Sequence, residues 1–218
     1  MSHHESAAKG ADARMVDRML FFSDAVFAIV LTLLALDLRP VTGHDADDLS
    51  VSQILGPIWE HLFVFLISFI VVGQWWMIHL RAMRQLQQFD IPTAVLNLFF
   101  LLCITLMPFA STIFASNFDS STTLMLYWGE LLVSALSMTA LFLMMSRDHG
   151  KLIGGINTGE RIWRASKSLI PAIAFLWGVI AALIHQIGWS RWCWVIINPL
   201  RAFDGLLYRY TRKIKMTV

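Results

Sequence analysis

The chain has 218 residues, of which 57% are hydrophobic and 15% charged. A soluble globular domain carries about 25% charged residues, so this balance excludes one and indicates an integral membrane protein. The net formal charge of +2 favours no class of charged partner, and no nucleic-acid signature accompanies it.

Residues 1–14 form a polar leader rich in Ala, His and Asp, expected to be disordered. The first apolar segment follows that leader and has no small-residue cleavage site, so it is not a signal peptide. A bilayer core of about 30 Å needs about 20 apolar residues per helix. Six such segments are expected, at 17–38, 57–80, 92–115, 123–145, 168–187 and 190–208. The membrane domain then covers 15–208, followed by a basic tail at 209–218.

The first segment opens with Arg18, Phe22, Ser23 and Asp24 and ends at Arg39-Pro40. The next loop is acidic, with Asp45, Asp47 and Asp48; it reads as a solvated loop that could also gather cations near an entrance. Gly56-Pro57 opens the second segment, with proline at a first-turn position where a missing N–H is tolerated. Asp90-Ile91-Pro92 opens the third, and Asp119 to Thr122 offer N-caps for the fourth. Residues 146–167 make the longest connection, polar and basic, with a break at Gly154-Gly155. The sixth segment has a continuous apolar run only from Trp192 to Leu200, interrupted by Asn198-Pro199. It is expected as a kinked or tilted helix, with a re-entrant segment as the alternative. Cys103 and Cys193 both lie in apolar segments and read as small buried hydrophobes, with neither a disulfide nor a zinc site.

Charge distribution sets the topology. Fifteen basic residues fall on the side shared by the N-terminus, the 2–3 and 4–5 loops and the C-terminus; the other side holds Arg39 and Arg191. The positive-inside rule places both termini in the cytoplasm, in agreement with an even number of crossings. The tail from Tyr208 to Lys215 suits anionic lipid headgroups.

An ionised side chain inside a membrane is costly, so Asp24 is a functional candidate. At about 100° per residue, Ile29, Thr32, Leu33 and Leu36 share one helix face while Asp24 and Ser23 lie on the far side. Such an apolar stripe can pack in a bundle. At a symmetry axis it would instead form stacked rings, of which the hydrophobic ones can gate by dewetting and the hydroxyl one can offer oxygens to a cation. The topology brings Trp75, Trp76 and His79 of the second segment and Asn97 of the third to the depth of Asp24. These groups can clamp the first three helices together through hydrogen bonds. The alternative is a titrating switch, because a histidine beside an acid can change charge near neutrality. Glu130 lies beside Trp128 and Gly129, close to the expected outer boundary, and reads as a partner in a helix–helix hydrogen bond.

Other signatures are missing. The sequence has no GYG-type filter loop, no helix with a cation at every third position, and no P-loop, HExxH, CxxC or GxSxG motif. His79 has no second well-placed intramembrane histidine with which to hold a haem, since His185 lies near the opposite surface. No enzyme, metal site or cofactor is expected.

Arg18-xxx-Phe22-Ser23-Asp24, continuing as Ala28-Ile29-xx-Thr32-Leu33-Leu34-x-Leu36, resembles the signature of the transmembrane protein 175 family of potassium channels, and Trp76-xx-His79 and Asn97 match it further. The chain departs from the pattern at Ala25, where glycine is often found. The resemblance implies a homotetramer whose first helices line a central pore. It makes Ile29, Leu33 and Leu36 the hydrophobic constriction and Thr32 the layer tied to potassium preference. K+ would pass transiently near Ile29 and Thr32. Arg18, Ser23 and Asp24 become an inner polar network with Trp76, His79 and Asn97, beside the Trp75 that helix depth alone places there. The expectation is an all-α polytopic protein of the cell membrane, a passive channel weakly selective for potassium over sodium. Its partners would be its own copies, the lipid bilayer and monovalent cations. A proton-permeable or proton-gated channel and a non-conducting membrane scaffold are the alternatives.

Overall fold

The computed structural model describes residues 3–36, 38, 52, 56, 58–155 and 158–192. Within them the chain is all-α. The helices are α1 (His3–Ala35), α2 (Trp59–Met83), α3 (Ile91–Ser116), α4 (Ser121–Met145), the single turn α5 (Arg147–Gly150), α6 (Thr158–Leu183) and the short α7 (Ile187–Arg191), with a 3-10 turn at Lys151–Ile153. Four stretches are long and apolar enough to cross a membrane: Gly10–Ala35, Trp59–Met83, Ile91–Ser116 and Ser121–Met145. A shorter apolar stretch covers Leu169–Leu183 of α6. The sixth expected helix beyond Trp192, the basic tail, Cys193 and the acidic residues Asp45, Asp47 and Asp48 lie outside the described residues.

Local chemistry explains most boundaries. The Asp90 carboxylate caps α3 by accepting from the Thr93 amide at 3.1 Å, and Pro92 follows in the first turn. Gly154 and Gly155 take positive φ values of 79° and 95°, which end the 3-10 turn. Ser120 is the N-cap residue of α4, but its side chain makes no capping bond; instead the Thr123 hydroxyl donates back to the carbonyls of Asn117 and Ser120.

Three boundaries differ from the sequence expectation. α1 begins at His3, within the polar leader, rather than at residue 17. Ala7, Ala8, Lys9, Ala11 and Arg14 are good helix formers, and extending an existing helix avoids the cost of a new nucleus. The fifth segment, expected at 168–187, begins ten residues earlier as α6, since hydropathy measures the apolar length and not the helical length. It also ends early. His185 takes a left-handed φ of 56°, and the chain restarts as α7.

The bundle has two halves that share α3. On one side α1, α2 and α3 pack mutually; on the other, α4 packs between α3 and α6. Phe100, Ile104 and Met107 of α3 are fully buried, as are Leu131 and Leu141 of α4. Leu66, Ile70, Leu102, Leu106 and Phe109 are equally apolar but face outward. Helices apolar on every side belong in lipid.

Candidate functional site

The inward face of α1 is written by Val16, Ser23, Phe27, Val30 and Leu34, all buried. Their spacing of seven, four, three and four residues makes one stripe along a helix. Phe27 lies beside the His79 ring of α2 and the Phe100 ring of α3, with centroids 5.6 and 6.1 Å away. The His79 ring also stacks on Phe100 at 5.5 Å, inclined by 14°. Aromatic packing thus gathers α1, α2 and α3 at the level of Ser23.

A hydrogen-bonded chain runs through that packing. The Ser23 hydroxyl donates to the Met19 carbonyl at 2.8 Å. Its oxygen therefore accepts from Asn97 Nδ2 at 3.1 Å. That leaves Asn97 Oδ1 as the acceptor for His79 Nε2, 2.7 Å away. The order of donors fixes His79 with its proton on Nε2, and Nδ1 is buried without a hydrogen-bond partner. Ser23, His79 and Asn97 are all fully buried.

Asp24 stands apart from this chain. Its Oδ1 accepts from Trp76 Nε1 at 2.8 Å, in a contact at the exposed edge between α1 and α2. The polar residues singled out from the sequence thus form two units, a buried chain and a half-exposed pair. Two expected members join neither. Trp75 is buried, but its Nε1 has no partner and its ring meets Phe100 edge-on at 6.1 Å. Arg18 is exposed and makes no hydrogen bond to any of these groups.

The opposite face of α1 is bare. Ile29 is 58% exposed, Leu33 42% and Leu36 71%, and Thr32 is exposed with them. None of the four packs into the subunit core. The Thr32 hydroxyl spends its proton on the Ile29 carbonyl at 2.7 Å, so the lone pairs of its oxygen remain for another group. Among the described residues, no group of three or more His, Cys, Asp or Glu lies close enough to hold a metal ion.

Three further polar links were not foreseen. Ser111 donates to Ser68 Oγ at 2.8 Å, and Ser68 lies 3.0 Å from the Tyr127 hydroxyl, joining α2, α3 and α4 in the core. Trp128 Nε1 donates to Ser190 Oγ at 3.0 Å, which donates to the Gly178 carbonyl at 2.9 Å and ties α4, α7 and α6 together. Arg147 pairs with Asp90 at 2.7 Å, and the Gln87 amide donates to the Leu152 carbonyl at 2.8 Å. This last link holds the α2–α3 turn against α5 and the 3-10 turn that follow α4. The only signal for the serines is their type: small hydroxyls in apolar helices favour interhelical bonds.

The fold defines a polytopic helical membrane protein with its first helix clasped on one face and open on the other. Residues 18–108 match the model of the family described as the endosomal/lysosomal potassium channel TMEM175. A potassium channel of Chryseobacterium sp. (strain P1-3) is 25% identical over 168 residues, covering 77% of this chain and 83% of that protein. The endosomal/lysosomal proton channel TMEM175 of Gallus gallus is 29% identical over 109 residues, which is 49% of this chain but only 21% of that protein. The crystal structure of a lysosomal potassium-selective channel TMEM175 homolog from Chamaesiphon minutus has the same fold. Its TM-score is 0.74 at 20% identity, over 88% of this chain and 98% of that one. Over residues 18–108 the chain is thus similar to the TMEM175 family of ion channels.

Proposed function

We propose that this protein is a passive cation channel that prefers potassium to sodium. Four copies surround one axis, and α1 of each copy lines the pore. The carrying observation is the division of α1 into two faces: Ser23, Phe27, Val30 and Leu34 are packed inward, while Ile29, Thr32, Leu33 and Leu36 are left outside the subunit. A helix on the rim of a bundle has no need to hold one face so firmly unless the other has a fixed task. Rings of Ile29, Leu33 and Leu36 form the hydrophobic constriction, where a narrow pore gates by dewetting. Thr32 adds a ring of hydroxyl oxygens whose protons are directed into the helix backbone, so the lone pairs can replace part of the hydration shell of a potassium ion. Ser23, His79 and Asn97 hold the helix in phase, and Asp24 with Trp76 braces its edge.

In this reading each subunit has six membrane helices and lies in the cell membrane with both termini cytoplasmic. The permeant ion is its only cargo, and it carries out no enzymatic chemistry. The rival reading is proton permeation, supported by the naming of the chicken relative as a proton channel. A reconstituted-liposome assay separates the readings. Purified protein should pass potassium faster than sodium under equal gradients and dissipate a potassium diffusion potential. Proton flux without potassium flux would select the rival, and intact oligomers that pass no cation would refute both.

A further inference from the structure

We propose that Glu130 is a proton-binding site inside the membrane domain, separate from the α1 pore face and from the Asp24 pair. The site does not depend on the channel reading. Glu130 lies nine residues after the start of α4 and fifteen before its end, about 13 Å and 22 Å along the axis. It therefore lies well inside the ends of a membrane-length helix, and its bond is not the interhelical one expected from the sequence. Oε1 accepts from the Ser134 hydroxyl one turn later on the same helix, at 2.8 Å. Oε2 is buried and has no hydrogen-bond partner.

No compensating charge faces it among the described side chains. From α3, Cys103 is the titratable group within its electrostatic reach. The described side chains of α6, Leu169 to Leu183, include no ionisable residue, nor do Ile187 to Ser190 of α7. The described ion pairs both belong to Arg147, seventeen residues further along the chain. From α2, the Ser68 and Tyr127 contact brings hydroxyls only. An ionised oxygen without a partner in such surroundings costs far more than a neutral hydroxyl in the same place. Ser134 donates to Oε1, so Oε2 is the oxygen left to carry the proton. Proton binding here is simple addition of H+ to a carboxylate oxygen, with no other bond made or broken.

Infrared spectroscopy on proteoliposomes at neutral pH tests this directly, because a carboxylic acid and a carboxylate absorb at different frequencies. Glu130→Gln keeps the size of the side chain and an oxygen for Ser134. The acid carbonyl band of the parent should be lost in this variant and should fade in the parent as the buffer is made strongly alkaline. If Glu130→Gln does not assemble, glutamate carrying carbon-13 at the side-chain carboxyl should shift the acid band in the parent. The chain has four glutamates, Glu5, Glu60, Glu130 and Glu160, so the label restricts the assignment. Loss of a carboxylate band with no change in the acid region, or an acid band that the label leaves unmoved, would overturn the proposal.

Discussion

At the scale of single residues, Asn97 is the joint on which the α1 attachment depends. Its amide accepts from His79 and donates to Ser23. Asn97→Leu keeps a similar volume but leaves the His79 Nε2 proton buried without an acceptor. One such orphan costs roughly 1–3 kcal/mol. The expected result is a lower unfolding midpoint in detergent, and a midpoint equal to that of the parent would show that the bond contributes nothing. Trp76→Phe should cost less, since the Asp24 bond lies at an exposed edge. These residues were legible in the sequence because Ser23, His79 and Asn97 are polar groups at matching depths of three apolar segments. What the sequence did not separate was Trp75 from Trp76. Adjacent residues on a helix point about 100° apart, and both indoles stood at the right depth. Only the packing of Phe100 decides that Trp75 turns into the core while Trp76 reaches Asp24. Glu130 was visible as an intramembrane acid, but its partner was not, because a serine one turn away on the same helix competes with every donor on a neighbouring one.

At the scale of the element, α1 is a helix of 33 residues, about 50 Å long, whose lower part is polar. Its middle carries the packed stripe and the bare one. If the bare stripe lines a pore, Ile29→Ala widens the narrowest ring and should raise single-channel conductance in planar bilayers, with α1 still held by Ser23. Unchanged conductance would remove Ile29 from the constriction. The helical period alone showed that Ile29, Thr32, Leu33 and Leu36 share a face, but not whether that face meets protein. An apolar stripe looks the same to a sequence whether it is buried in a core, in lipid or around an axis. The stripe that packs the core, Phe27, Val30 and Leu34, is just as apolar. The length of α6 was hidden for a related reason: Glu160, Arg161, Arg164 and Lys167 are good helix formers that hydropathy counts as loop.

At the scale of the whole molecule, the bundle joins two halves through α3, and the family match from residue 18 to residue 108 covers the half that holds α1. The match to the family model is thus concentrated where the polar chain is. Native mass measurement in detergent should give about 99 kDa for four chains of 24.8 kDa; a stable dimer or monomer that still conducts would defeat the four-fold pore. The chain of bonds from His79 through Asn97 and Ser23 to the Met19 carbonyl carries a mechanical consequence. It points one way, with each donor assigned, so it keys the angular phase of α1 as a notch keys a shaft. Turning α1 by a single residue would carry Ser23 about 100° away from Asn97 and break the key. If four copies surround a pore, turning α1 alone to respace Ile29 would break these bonds, whereas swinging α1, α2 and α3 together would spare them.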